Sequence, residues 1–319
     1  MNRKILTGYL YIILATVAFS NVYVFSKAAL NEISLPLFLF LICLIGFVFN
    51  LFILIKSGGI KKIRTLPQKM YWIFPTLGLL EILAVFAFYA GVNAIAEPAV
   101  NGFLGNLFPL FTTILGIIFL SERFSRIESI GIVIVFCGAL LTSYSGNISF
   151  ENFFIPGVGF VALNCLAAAI ATVIVRAKVN NLTPEILSFN RIFWLLLFFS
   201  CWILFAQTPF IVTSKGLWNT FVAAILDPVL AILLVYKAYR YIEASRGTII
   251  QSAKGILIIP IAFLFFGTLP MLHQLFGGIL TMIGVVIIGI GQSVINARKW
   301  SNRNNSLTGD VAAESGEVI

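Results

Sequence analysis

The chain has 319 residues, 60% of them hydrophobic and 10% charged, with a mean hydropathy of +1.03. A water-soluble domain of that length needs a far more polar surface, so a soluble globular protein is excluded and lipid is the expected solvent. The formal charge of +9 does not point to nucleic acid, because the basic residues are scattered through short loops rather than gathered on one polar domain.

Asn2-Arg3-Lys4 precedes the first apolar stretch, near 7–29. That stretch outruns the core of a secretory signal and lacks a small-x-small cleavage site, so it reads as a first spanning helix. Further runs able to cross roughly 30 Å of hydrocarbon at about 1.5 Å per residue fall near 34–55, 72–94, 99–120 and 127–145. A second set falls near 156–176, 185–206, 217–238, 247–266 and 272–293. Barrel strands are disfavoured because the runs lack polar alternation. The fold class expected is therefore an all-α integral membrane protein of ten transmembrane helices.

Loop charges give an independent check. With the amino terminus cytoplasmic, 17 of the 21 basic residues fall in inside segments, among them Lys56, Lys61, Lys62, Arg64, Lys69, Arg123, Arg126, Arg176, Lys178, Lys237, Arg240 and Arg246. Lys27, Arg191, Lys215 and Lys254 remain, and only Lys215 lies in an outside loop. The positive-inside rule thus predicts both termini in the cytoplasm. The polar segment 298–319 is expected to be a disordered cytoplasmic tail. Asn147-Ile148-Ser149 matches a glycosylation pattern in an outside loop, a weak three-residue signal.

The two halves overlay at a constant offset of 146 residues, with Trp72 on Trp218, Glu81 on Asp227, Glu97 on Glu243, Phe119 on Phe265, Gly131 on Gly277 and Gly138 on Gly284. Five spans per copy is an odd number, so the second copy enters the membrane from the opposite side. The expected organisation is a first five-helix repeat at 1–147, an inverted second repeat at 148–297, and a substrate site near midplane, reached by rocking or bending of the two halves.

The segment from Tyr89 to Thr142, through Ala94, Ala99, Pro109, Phe119-Leu120-Ser121-Glu122-Arg123, Gly131 and Gly138, resembles the EamA-type members of the drug/metabolite transporter superfamily. The resemblance recurs in Tyr236, Phe265-Phe266-Gly267-Thr268, Gly277 and Gly284, and in Ser26-Lys27-Ala28, Pro36, Thr183-Pro184 and Arg191. It implies a secondary transporter that exports or exchanges a small polar metabolite, with an amino acid as the first expectation. Nucleotide-sugar or sugar-phosphate exchange is the alternative; a nontransporting receptor or scaffold is more remote. A proton or counter-substrate is the implied partner besides lipid, as monomer or homodimer in a bacterial cytoplasmic membrane. One departure is that the glutamate usual in the second short hairpin is Thr268.

Ionisable residues inside apolar runs are costly, so they carry most of the functional signal. Glu81 lies roughly 14 Å along its helix from Trp72, and Asp227 stands at the equivalent depth. Either suits a substrate amine or a coupling proton; the bland reading is a structural pair with Arg191 or Lys254. Those two cations, facing the same cavity, would suit a zwitterion, and otherwise merely balance the acids. Tyr89 and Tyr236 each follow the acid of their half and read as cavity or packing residues. Gln251 lies one turn from Lys254, and Lys27 either joins the site or snorkels toward Glu32. Asn101 and Asn106 are weaker cavity candidates. His273 is expected at an interface. Cys43, Cys137, Cys165 and Cys201 stand singly, so no disulfide and no metal site are expected. No phosphate loop, dinucleotide fingerprint or nucleophile elbow occurs, so no cofactor and no enzymatic activity are expected.

Overall fold

The computed structural model describes residues 3–68, 71–120, 126–145, 154–178, 182–242, 247 and 250–290. Lys69, Glu122, Arg123, the Asn147-Ile148-Ser149 pattern, Glu243, Arg246 and the 298–319 tail lie outside the described residues. Within them the chain is all-helical apart from one bridge between Tyr144 and Phe154.

The helices are α1 (Arg3–Leu30), α2 (Leu35–Lys56), α3 (Gly59–Arg64), α4 (Ile73–Ala94), α5 (Pro98–Leu104), α6 (Leu107–Leu120), α7 (Arg126–Ser143), α8 (Val158–Lys178), α9 (Pro184–Phe205), α10 (Ser214–Ala224), α11 (Ile232–Ala238) and α12 (Lys254–Phe266). α13 (Leu272–Ile290) follows, and a π turn, Ile225–Ala231, joins α10 to α11. Local chemistry sets the boundaries. Ser34 and Thr183 are extended and each precedes a proline in the first turn of its helix, where the missing N–H costs nothing. The Thr213 hydroxyl accepts from Gly216 N at 3.0 Å and caps α10. Gly267, at φ 67°, ends α12 in the left-handed region.

Eight helices among the described residues are long and apolar enough to cross a membrane, and two apolar ones, Val158–Ile174 and Lys254–Phe266, are shorter. Exposed side chains such as Leu79, Phe119, Leu204 and Leu264 cover their outer faces, as expected where the surroundings are hydrocarbon.

Packing does not follow the two sequence halves. α8 lies against α4 and α6, and α1 lies against α10, α11 and α12, so each three-helix body is drawn from both copies. α2 packs on α9, and α5 on α12, between them. Exchanging the copies turns the α4–α8 contact into α1–α11 and the α6–α8 contact into α1–α12, which is the pattern of a pseudo-two-fold. α7 and α13 approach closely at glycines: a Cβ on Gly138 would lie 2.7 Å from the Gly277 carbonyl oxygen, and one on Gly131 would lie 2.9 Å from that of Gly284. These are the positions that the sequence overlay equates, and they meet antiparallel, as an inverted repeat requires.

The offset of 146 shifts by one residue locally, between Asp227 and Ile242, and returns to 146 by Gly277. A Cβ on Gly8 would touch Tyr241 and Ile242, while one on Gly157 would touch Ala94 and Ile95. The step from Ile95 to Ile242 is therefore one residue longer than the step from Glu81 to Asp227. The π turn absorbs the extra residue, because bonds from i to i+5 take one more residue per turn than α-helical ones.

Candidate functional site

Between the two three-helix bodies lies a cavity of about 200 Å³. α4 contributes Glu81, Ala84, Val85 and Phe88; α8 contributes Asn164, Cys165, Ala168 and Thr172. Facing them are Phe19 and Tyr23 of α1 and Tyr236 of α11, with Tyr239, Gln251 and Lys254 beyond. Arg191 of α9 and Asp227 of the π turn close the middle.

Arg191 binds both acids. Its Nε donates to Glu81 Oε2 at 2.9 Å, and its Nη1 lies 3.9 Å from Asp227 Oδ1. Asp227 Oδ2 in turn accepts from the Tyr89 hydroxyl at 2.5 Å. Arg191, Asp227 and Tyr89 are buried, and Glu81 partly so. Two carboxylates against one guanidinium leave this cluster with a formal charge of −1. Burying it is tolerable because a guanidinium presents several donors in a fixed fork and can serve two acids at once.

Asp227 is carried to this point by the π turn, and the turn is supported from outside. Pro228 supplies no N–H, and its carbonyl accepts from Asn50 Nδ2 at 2.9 Å, with Ser188 Oγ at 3.5 Å. Ser188 also donates to Asn50 Oδ1 at 2.7 Å, which fixes the amide. Gly46 makes room: a Cβ there would lie 2.8 Å from Pro228 Cγ.

Lys254 is different. No carboxylate among the described residues lies within 4.0 Å of its Nζ, which sits 5.9 Å from the centre of the Tyr23 ring. Gly105 leaves its space open, since a Cβ there would come within 3.1 Å of Nζ. The cavity thus has an acidic pole and, separately, an ammonium with no counter-ion among the described residues. Gln251 lines the same end and donates to the Tyr239 hydroxyl at 3.3 Å.

Six of the eight residues picked from sequence, Glu81, Asp227, Arg191, Lys254, Tyr236 and Gln251, line this cavity. Tyr89 reaches it through Asp227. Lys27 does not join: its Nζ donates to the Asn93 carbonyl at 2.7 Å, and Glu32 is taken instead by Lys215 at 3.8 Å and Thr213 at 3.1 Å. Asn101 and Asn106 are buried away from the cavity, Asn106 donating to Thr281 at 3.1 Å. Asn164, Cys165, Thr172, Tyr23 and Tyr239 were not anticipated, because nothing in an apolar run tells which way a helix faces.

The cavity leans toward the end where α8 and α11 finish. At the opposite end Thr268 donates to Glu97 at 2.8 Å, fastening the bodies together, and His273 is bonded to the Tyr144 carbonyl at 3.0 Å between α13 and the end of α7.

A solved structure described as "Crystal structure of protein" has 15% sequence identity and a TM-score of 0.63, over 91% of this chain and 98% of that one, which shows a shared fold. No curated protein matches the chain. The model of the EamA-like transporter family matches twice, over residues 6–144 and 155–290. The chain belongs to the EamA-like transporter family, within the drug/metabolite transporter superfamily.

Proposed function

We propose that this protein is a secondary transporter of a zwitterionic metabolite of amino-acid type, spanning the membrane ten times with both termini in the cytoplasm. The two short apolar helices, α8 and α12, complete the count, and the distribution of basic loop residues supports the orientation. The observation that carries the substrate class is the separation of charge in the cavity. The Glu81–Arg191–Asp227 cluster offers a net negative pole to a substrate ammonium. Lys254 offers a charge-assisted hydrogen bond to its carboxylate.

A sugar phosphate or nucleotide sugar finds less support. Arg191 is already held by two carboxylates, which leaves one uncommitted cation, and about 200 Å³ is small beside the roughly 300–1,000 Å³ that holds drug-sized ligands.

Counterflow of labelled amino acids in proteoliposomes, with and without a pH gradient, tests the reading. Saturable flux that falls at least tenfold in both Glu81→Gln and Asp227→Asn supports it. Absence of flux from correctly folded parent protein, together with counterflow of a sugar phosphate, overturns it.

A further inference from the structure

With the π turn accounted for, Tyr236 is the repeat counterpart of Tyr89. Tyr89 stands eight residues beyond Glu81 and Tyr236 nine beyond Asp227. The extra residue lies in the π turn, so both tyrosines leave their helices on the same relative face. The pseudo-two-fold that exchanges the copies thus sends the pair Tyr89 and Asp227 onto the pair Tyr236 and Glu81.

The two pairs are not in the same state. Tyr89 is buried and bonded to Asp227, whereas Tyr236 faces the cavity with no bond to Glu81. Arg191 is correspondingly off centre, close to Glu81 at 2.9 Å and loose toward Asp227 at 3.9 Å. Each carboxylate therefore has one strong donor, Asp227 from Tyr89 and Glu81 from Arg191. The cavity opens on the side of the tyrosine that is free.

We infer that Tyr89 and Tyr236 are a reciprocal pair of gate residues: in the opposite access state Tyr236 donates to Glu81, Tyr89 releases Asp227, and Arg191 moves from Glu81 to Asp227. The inference rests on transport by alternating access but on no particular substrate. Count is kept in both states, since the tyrosine and the guanidinium exchange carboxylates and neither acid is left buried without a donor. Closure at Tyr236 seals the end lined by Tyr239 and Gln251. Release at Tyr89 accompanies opening of the end now fastened by the Thr268–Glu97 bond.

The test is a distance measurement without substrate, so that a wrong substrate class leaves it intact. Spin labels placed at the exposed positions Asn93 and Leu269, in a variant with the four cysteines replaced, bridge the two bodies at the fastened end. Tyr89→Phe removes the bond that holds the present state, and the long-distance population is expected to grow severalfold. Tyr236→Phe removes the bond of the opposite state, and that population is expected to shrink, while the double variant returns toward the parent. Shifts of the same sign in both single variants, or no shift in either, would overturn the pairing, because two tyrosines that merely pack have no reason to act oppositely. If Tyr89→Phe does not fold, the sign seen in Tyr236→Phe against the parent decides alone.

Discussion

Lys254 and Arg191 are both cations in apolar surroundings, and among the described residues only Arg191 has carboxylate counter-ions. Lys254 is also the first residue of α12, where a positive charge opposes the helix dipole by about 0.3–1 kcal/mol. Its presence is therefore not accounted for by stability. Lys254→Gln is expected to leave the melting temperature in detergent unchanged or slightly raised. The half-saturation concentration for a zwitterionic substrate is expected to rise at least tenfold, about 1.4 kcal/mol. The same variant should lose discrimination against the substrate's methyl ester, measured by competition in proteoliposomes; unaltered discrimination would remove Lys254 from the site. At this scale the sequence was informative. Glu81, Asp227, Arg191 and Lys254 stood out because few ionisable residues interrupt the apolar runs. Tyr23, Asn164 and Cys165 carry no charge to set them apart, and which way each faces was not legible.

One helix departs from the α-helical ladder, and it carries Asp227. The side chains of Asn50 and Ser188 come from two other helices to bind the Pro228 carbonyl in the π turn. Asn50→Ala is expected to cost about 1–3 kcal/mol by exposing a buried carbonyl without a donor. Gly46→Ala, forced against Pro228, is expected to cost about the same through overpacking. Both are read as a fall in thermal unfolding temperature, and both should lower flux by disturbing Asp227. A loss of flux at unchanged unfolding temperature would show that the π turn is not held from outside. The sequence shows Pro228 next to Asp227 but not the widened turn, whose carbonyl partners Ser188 and Asn50 stand 40 and 178 residues away.

Across the whole molecule, the inverted repeat is expressed in contacts rather than in two separate halves. α7 and α13 approach at Gly131, Gly138, Gly277 and Gly284, with carbonyls where side chains would stand. Close approach of this kind replaces the hydrophobic effect, which gives helices no mutual attraction in lipid. Gly138→Ala and Gly284→Ala, at the positions that the overlay equates, are expected to destabilise the fold by similar amounts, about 1–3 kcal/mol each, in thermal unfolding of the purified protein. Unequal effects would mean that the crossing is not symmetric.

Composition and sequence pattern alone determined the solvent, the helical class, the repeat and the four charges within the apolar runs, because each can be read along the chain without knowing how its helices pack. A chain this apolar has to satisfy its backbone within helices, whatever the tertiary arrangement. What only the tertiary structure decided is which faces turn inward. That includes the assembly of each three-helix body from both copies, the exclusion of Lys27, the bond from Tyr89 to Asp227 and the isolation of Lys254. In hydrocarbon the outer and inner faces of a helix are alike in polarity. Rotation is therefore set by contacts between distant residues, and these become visible only once the helices are packed.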